Sequence, residues 1–202
     1  MKALVVYESM FGNTEQIARA VARGLEKSVE VEVVEVSKAP RDPEVDVDLI
    51  VAGGPTHAFS MSRANTRADA INRGATEGER EFGLREWIDT LPSGRHADKM
   101  ATFDTRIRTM RHLPGSAAKG AAKAARRHGY ESAGPAESFY VDDVGGPLLT
   151  GELDRAEAWG KQLGAATSVR RGQRYTLPER ETRSGSHALS DSSKKSREEL
   201  DQ

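Results

Sequence analysis

The sequence predicts an α/β fold, an open doubly wound sheet of about five parallel strands with helices on both faces. Three observations predict it. Strand-like and helix-like hydrophobic patterns alternate along residues 1–168, which is how parallel strands joined by crossover helices read. Two of the strand segments are short, nearly continuous apolar runs, as expected of strands covered on both faces. Five strands in ~170 residues also suit an open sheet better than an eight-fold barrel, which typically takes ~250.

The elements follow in order. Ala3 to Tyr7 is the first buried-strand run, and Asn13 to Lys27 follows as a helix with Ile17, Val21 and Leu25 on one face. Val29 to Val36 alternates Val with Glu, the period of a half-exposed strand near an edge. Asp48 to Ala52 is the next buried strand, ended by Gly53-Gly54-Pro55. Leu84, Trp87, Ile88 and Leu91 share one helical face, and Lys99 to Phe103 reads as a less apolar strand. Ser116 to His128 is an Ala-rich helix whose Arg126, Arg127 and His128 suit the negative end of its dipole. Glu137 to Val141 reads as the last strand and Glu152 to Gly164 as the last helix, with Glu157 and Lys161 spaced as an ion pair.

Composition narrows the function. Of 202 residues 37 % are hydrophobic and 30 % charged, polar for one compact core, so part of the chain is expected outside it. The net charge of −1 and a sequence pI near 6.5 argue against a dedicated nucleic-acid binder. With no cysteine, disulfide scaffolds, thiol nucleophiles, Cys-ligated zinc and iron–sulfur clusters are excluded. Met1 to Tyr7 runs directly into a polar loop, too short for a signal peptide, and no stretch approaches the ~20 apolar residues of a membrane span. A cytoplasmic protein is expected. Residues 169–202 carry eight basic and six acidic side chains in Ser-rich surroundings, and are expected to be a disordered tail behind a domain of residues 1–168.

In doubly wound sheets, ligands bind outside the carboxyl ends of the strands. The loop after the first strand, Glu8 to Thr14, enters a helix N-terminus, where unpaired N–H groups and the positive dipole end attract a phosphate. Ser9 and Thr14 offer hydroxyls, Gly12 lets the backbone wrap closely, and Asn13 is placed as an N-cap with Gln16 at the third helical position. The loop is neither Gly-x-Gly-x-x-Gly nor a nucleotide triphosphate loop.

Here the sequence resembles the flavodoxin family. Val5-Val6-Tyr7, Ser9, Gly12, Thr14, Ala18 and Val21 stand at the spacing of that family's signature. The resemblance implies the strand order 2-1-3-4-5 and the cofactor FMN, with its 5′-phosphate on Ser9, Met10, Phe11, Gly12, Asn13 and Thr14. It assigns Pro55, Thr56, His57, Ala58 and Phe59 to the first flavin-ring loop, with Phe59 or His57 facing the ring. It assigns Asp104, Thr105 and Arg106 to the loop after the fourth strand. That loop departs from the family's acidic, aromatic-bearing pattern, because no aromatic lies between Asp104 and Leu113 and Arg106, Arg108 and Arg111 are present. One positive charge ~8 Å from the reduced flavin, at an effective dielectric of ~20, stabilises it by about 2 kcal/mol, roughly 90 mV upward for a one-electron couple. With two arginines lining the site, two-electron chemistry becomes easier.

The implied function is an FMN-binding redox protein that carries electrons between protein partners. The alternatives are a flavodoxin-like NAD(P)H:quinone oxidoreductase, a protoporphyrinogen oxidase-like enzyme, and a flavin-free interaction scaffold. The remaining features carry no chemistry of their own. The five histidines show no metal-ligand spacing, no Gly-x-Ser-x-Gly elbow exists, and Asp142-Asp143 reads as a turn. Asn72 to Phe82, with Gly74 and Gly78, reads as an inserted loop, either a lid, a dimer contact or a passive connection.

Overall fold

Parallel strands that bury both faces need helices on each side, and the computed structural model, which describes residues 1–43 and 47–174, is built this way. The elements are β1 (Lys2–Tyr7), α1 (Asn13–Leu25), β2 (Glu30–Glu35), β3 (Val47–His57), β4 (Ser60–Met61), α2 (Ala64–Asn72) and α3 (Leu84–Thr90). They continue with β5 (Lys99–Ile107), α4 (Ala117–His128), β6 (Glu131–Ser132), β7 (Glu137–Val141) and α5 (Glu152–Arg174). The sheet runs β2-β1-β3-β5, with β2 at one edge and half-exposed as its Val/Glu alternation predicts. The fifth position of the expected order is filled by two pieces. β6 pairs with the start of β5 (Lys99 opposite Glu131) and β7 with its end (Phe103 opposite Glu137). Between them Gly134 and Pro135 interrupt the run, Pro lacking the N–H a ladder needs.

One core lies between the sheet and α1/α5. It holds Val5, Ile17, Val21, Leu25 and Val51 together with Phe103, Phe139 and Trp159, whose rings meet edge to face with centroids 6.0–6.2 Å apart. The other core lies under α3/α4, where Leu4, Val6 and Ile50 pack on Trp87, Ile88, Ala121 and Ala124. Trp87 is fully buried, and its indole N–H donates to the Pro40 carbonyl at 2.9 Å.

Three expectations are corrected by the fold, and one helix, α2, is added to them. Gly53-Gly54-Pro55 does not end β3, which continues to His57. Its glycines serve packing, since a Cβ on Gly53 would stand 2.1 Å from the Phe103 ring. Asp104 to Ile107 are strand rather than loop, because β3 and β7 pair with them on both sides. α2 carries no apolar stripe to read, since its buried residues are only Arg67 and Ala70. α5 continues past Gly164 to Arg174, and Glu157 pairs with Arg23 of α1 at 3.4 Å. The rest of the expected tail, 175–202, lies outside the described residues. No helix among the described residues is long and apolar enough to cross a membrane.

Candidate functional site

The carboxyl ends of β1, β3, β5 and β7 surround a partly open cleft. Met10, Phe11, Asn13 and Thr14 line it from the first loop, Pro55, Thr56 and His57 from β3, and Thr105, Arg106 and Ile107 from β5. All three stretches singled out in the sequence therefore meet at one place.

The first loop is rigid because its polar groups bond within the protein. Glu8 N donates to the Gly53 carbonyl at 2.9 Å, and Gly12 N to Ser9 Oγ at 3.0 Å. Gly12, not Asn13, occupies the N-cap position of α1, at φ +79°, a conformation that favours glycine. Gln16 N donates to the Gly12 carbonyl at 3.1 Å, which leaves the first N–H groups of the helix without an intrahelical acceptor. The expected cap is thereby corrected. The Asn13 side chain is drawn away, donating to the Gly145 carbonyl at 3.1 Å and joining this loop to the one after β7. Thr14 and Thr105 share a buried hydroxyl–hydroxyl bond of 2.7 Å between α1 and β5.

Beyond His57, Ala58 and Phe59 adopt positive φ (45° and 64°) to turn β3 back into β4. Both are exposed, and neither lines the cleft. His57 is half-buried at the cleft wall, and burial, then the Arg67 charge, hold its imidazole below the ordinary value. Both effects favour the neutral ring.

Asp104 is fully buried and turns away from the cleft. Its Oδ2 accepts from Thr56 Oγ1 (2.9 Å) and Ala118 N (3.0 Å), while Thr56 Oγ1 accepts from Ala117 N (2.9 Å). The pair thus serves the orphan donors of the α4 N-terminus alongside its cap, Ser116. Arg106 is 8 % exposed. Its Nη1 donates to the Gly115 carbonyl at 3.2 Å and its Nη2 to those of Met110 and Leu113, so it gathers the loop after β5 around itself. Its Nε is buried with no protein acceptor. Arg108 and Arg111 are exposed and do not line the cleft, so one cation lines it rather than two.

Val141 and Val144, which complete the lining, were missed in the sequence. The rule that ligands sit at the carboxyl ends of strands applies equally to the strand that ends at Val141, and that rule was the available signal. Beneath the site lies a buried charge network that the sequence also hid. Arg67 is fully buried, donating from Nε to the Arg80 carbonyl at 2.7 Å and from Nη1 to Ser62 Oγ at 2.8 Å, with Nη1 3.0 Å from Glu86 Oε2. Glu8 is 1 % exposed, accepts from Leu84 N at 2.7 Å, and is raised above the usual carboxylate range by burial. No cluster of His, Asp and Glu suited to a metal occurs among the described residues.

Comparison with known proteins agrees with this geometry. The flavodoxin family model matches residues 5–85, the span that contains the first loop and β3. A flavodoxin from the domain Archaea is 20 % identical, with a TM-score of 0.56 over 83 % of this chain and 99 % of that one. A flavodoxin of Streptococcus pneumonia TIGR4 is 18 % identical, with a TM-score of 0.58 over 82 % and 99 %. A short-chain flavodoxin associated with a PDU bacterial microcompartment is 14 % identical, with a TM-score of 0.57 over 83 % and 99 %. No curated protein sequence matches the chain. A strand order, a first loop and a solved-structure likeness that all agree give this chain a flavodoxin-like fold, and its residues 5–85 match the flavodoxin family model.

Proposed function

We propose that the protein binds FMN and works as a redox protein carrying electrons between protein partners. The observation that carries this reading is the meeting of the first loop and the ends of β3 and β5 in one cleft at the N-terminus of α1. The residues there fit the cofactor. The α1 N–H groups and the left-handed Gly12 suit a phosphate. Phe11, His57, Val141 and Val144 offer the largely apolar walls a flavin ring needs, and the orphan Arg106 Nε is a donor in want of an acceptor. On this reading Ser9 and Asp104 hold the loops rather than the ligand, since both are buried and bonded internally. When bound, FMN supplies the electron-accepting ring, and the protein supplies anchoring, packing and charge.

Electron exchange with a partner is supported by the rim. Phe59, Met110, Leu113 and Val144 are large apolar side chains 41–46 % exposed. Val144 lines the cleft, Arg106 holds the carbonyls of Met110 and Leu113, and the Phe59 carbonyl and Cβ crowd Gly115. Apolar exposure gathered around one opening marks a contact surface.

The test is a titration of flavin-stripped protein with FMN, followed by quenching of flavin fluorescence, with riboflavin as control. Submicromolar FMN binding with much weaker riboflavin binding is expected. Failure of both to bind removes the redox reading and leaves a scaffold. Steady-state oxidation of NAD(P)H by the FMN-loaded protein with a quinone would move the assignment from carrier to reductase.

A further inference from the structure

The segment between α2 and α3 is packed on the first loop. Glu77 N donates to the Met10 carbonyl at 3.3 Å, and a Cβ on Gly78 would stand 2.7 Å from the Ser9 carbonyl oxygen and 2.8 Å from Met10 Sδ. This contact sets the Glu77 side chain beside the turn into α1. Its Oε1 lies 3.2 Å, and its other carboxyl oxygen 3.9 Å, from where a Cβ on Gly12 would be. The side chain is half-buried, and among the described residues its carboxylate has no hydrogen-bond or ion-pair partner. An acidic side chain thus stands beside the turn into α1, where the proposed function places an anion.

A carboxylate is drawn to the positive end of a helix dipole, and a phosphate is drawn to the same place. Both cannot use it without mutual repulsion. We propose that Glu77 sets the selectivity of the loop between phosphorylated and unphosphorylated flavin, by opposing the phosphate dianion at the α1 N-terminus. This inference rests on the FMN reading given above. The loop's backbone favours FMN, and Glu77 trims that preference while leaving the contacts of the ring untouched. The inserted segment is then a selectivity element, held in register by its backbone bond to Met10.

The experiment compares wild type, Glu77→Gln and Glu77→Lys as flavin-stripped full chains, each titrated with FMN and with riboflavin at low and high salt. Urea unfolding checks that each variant folds as the wild type does. Glu77→Gln is expected to tighten FMN by about tenfold at low salt and Glu77→Lys by more, riboflavin affinity staying within about twofold. The gain shrinks at 0.5 M salt, because the repulsion removed is partly screened. Equal tightening of both flavins overturns the inference, since it would mean a change in packing. So does FMN affinity that neither variant alters while wild type binds FMN. Absence of FMN binding in all three chains overturns the FMN reading itself and this inference with it.

Discussion

Replacing Arg67 with Met tests the buried network under the site. The side chain has no exposure, and its Nη1 and the Glu8 Oε2 stand 2.6 and 2.7 Å from the same point, the place of a Cβ on Gly83. They are therefore no more than about 5.3 Å apart. At ~5 Å and an effective dielectric of ~20, their attraction is roughly 3 kcal/mol. Removing the cation strands a buried carboxylate, a change that costs about 3–5 kcal/mol. Glu8 limits that loss by taking up a proton. Its folded pKa already lies above its unfolded value, through burial, with Arg67 opposing the rise. The stability it contributes is thus complete below the unfolded carboxylate pKa and lost as pH rises through the folded one. In Arg67→Met the folded value climbs further, so the deficit relative to wild type should widen, by up to ~1.4 kcal/mol per pH unit, as pH rises from the wild-type folded pKa to the variant's, and then level. Urea unfolding of wild type, Arg67→Met, Glu8→Gln and the double variant at pH 5, 6.5 and 8 measures this. The double variant should recover roughly 1–3 kcal/mol of the sum of the single losses at pH 8. A loss below about 1 kcal/mol, or additive singles with no pH dependence, would refute the claim that the two groups compensate one another.

Three further outcomes follow from the same geometry. Gly160→Ala puts a Cβ 2.1 Å from the Val21 carbonyl oxygen, and Gly24 meets the Glu157 carbonyl in the same way. The α1 and α5 backbones must part, lowering stability by about 1–3 kcal/mol and the melting midpoint by at least ~3 °C in calorimetry. Arg106→Gln removes the one cation lining the cleft. The midpoint potential of bound FMN should fall by up to ~90 mV in potentiometric titration, whereas Arg106→Lys should hold it. A chain ending at Arg174 should keep the unfolding midpoint and FMN affinity of the full chain, since Leu163 is the last residue of the described core. Loss of either property would bring residues 175–202 into the domain.

The legible parts of this molecule are those where side-chain type alone decides the outcome. Apolar runs bury, so β1, the start of β3, α1 and α3 were readable with their faces, and the loops at strand ends followed from topology. The illegible parts are those where a polar residue is buried because a distant partner satisfies it. Asp104 looked like a loop acid, yet its Oδ2 is spent on the α4 N-terminus through Thr56 and Ala118 N, while its Oδ1 is buried with no protein partner. Arg67 gives α2 no apolar stripe to read, although Ser62, Arg80 and Glu86 hold it inside. Asn13 has the composition of a cap but bonds Gly145, 132 residues away, and Gly12 takes the cap position. In each case the deciding partner lies on another element, beyond the reach of local pattern.

The same distinction governs the site. The place of the first loop at a helix N-terminus was legible from spacing, because a strand–glycine–helix turn fixes backbone direction locally. Charges around the cleft were not, because their effect depends on which way a long side chain is held. Arg106 is turned inward by three carbonyls of its own loop, while Arg108 and Arg111, two and five residues on, are left in solvent. Glu77 is brought to Gly12 from a segment read only as an inserted loop, either a lid, a dimer contact or a passive connection. A phosphate at α1 would therefore meet a built backbone cradle with one acid beside it, and a flavin ring would meet apolar walls with one buried cation. The backbone half of that environment is shared with flavodoxins through the first loop. The charged half belongs to this chain, and on the FMN reading proposed above it would set how tightly the flavin is held and at what potential it works.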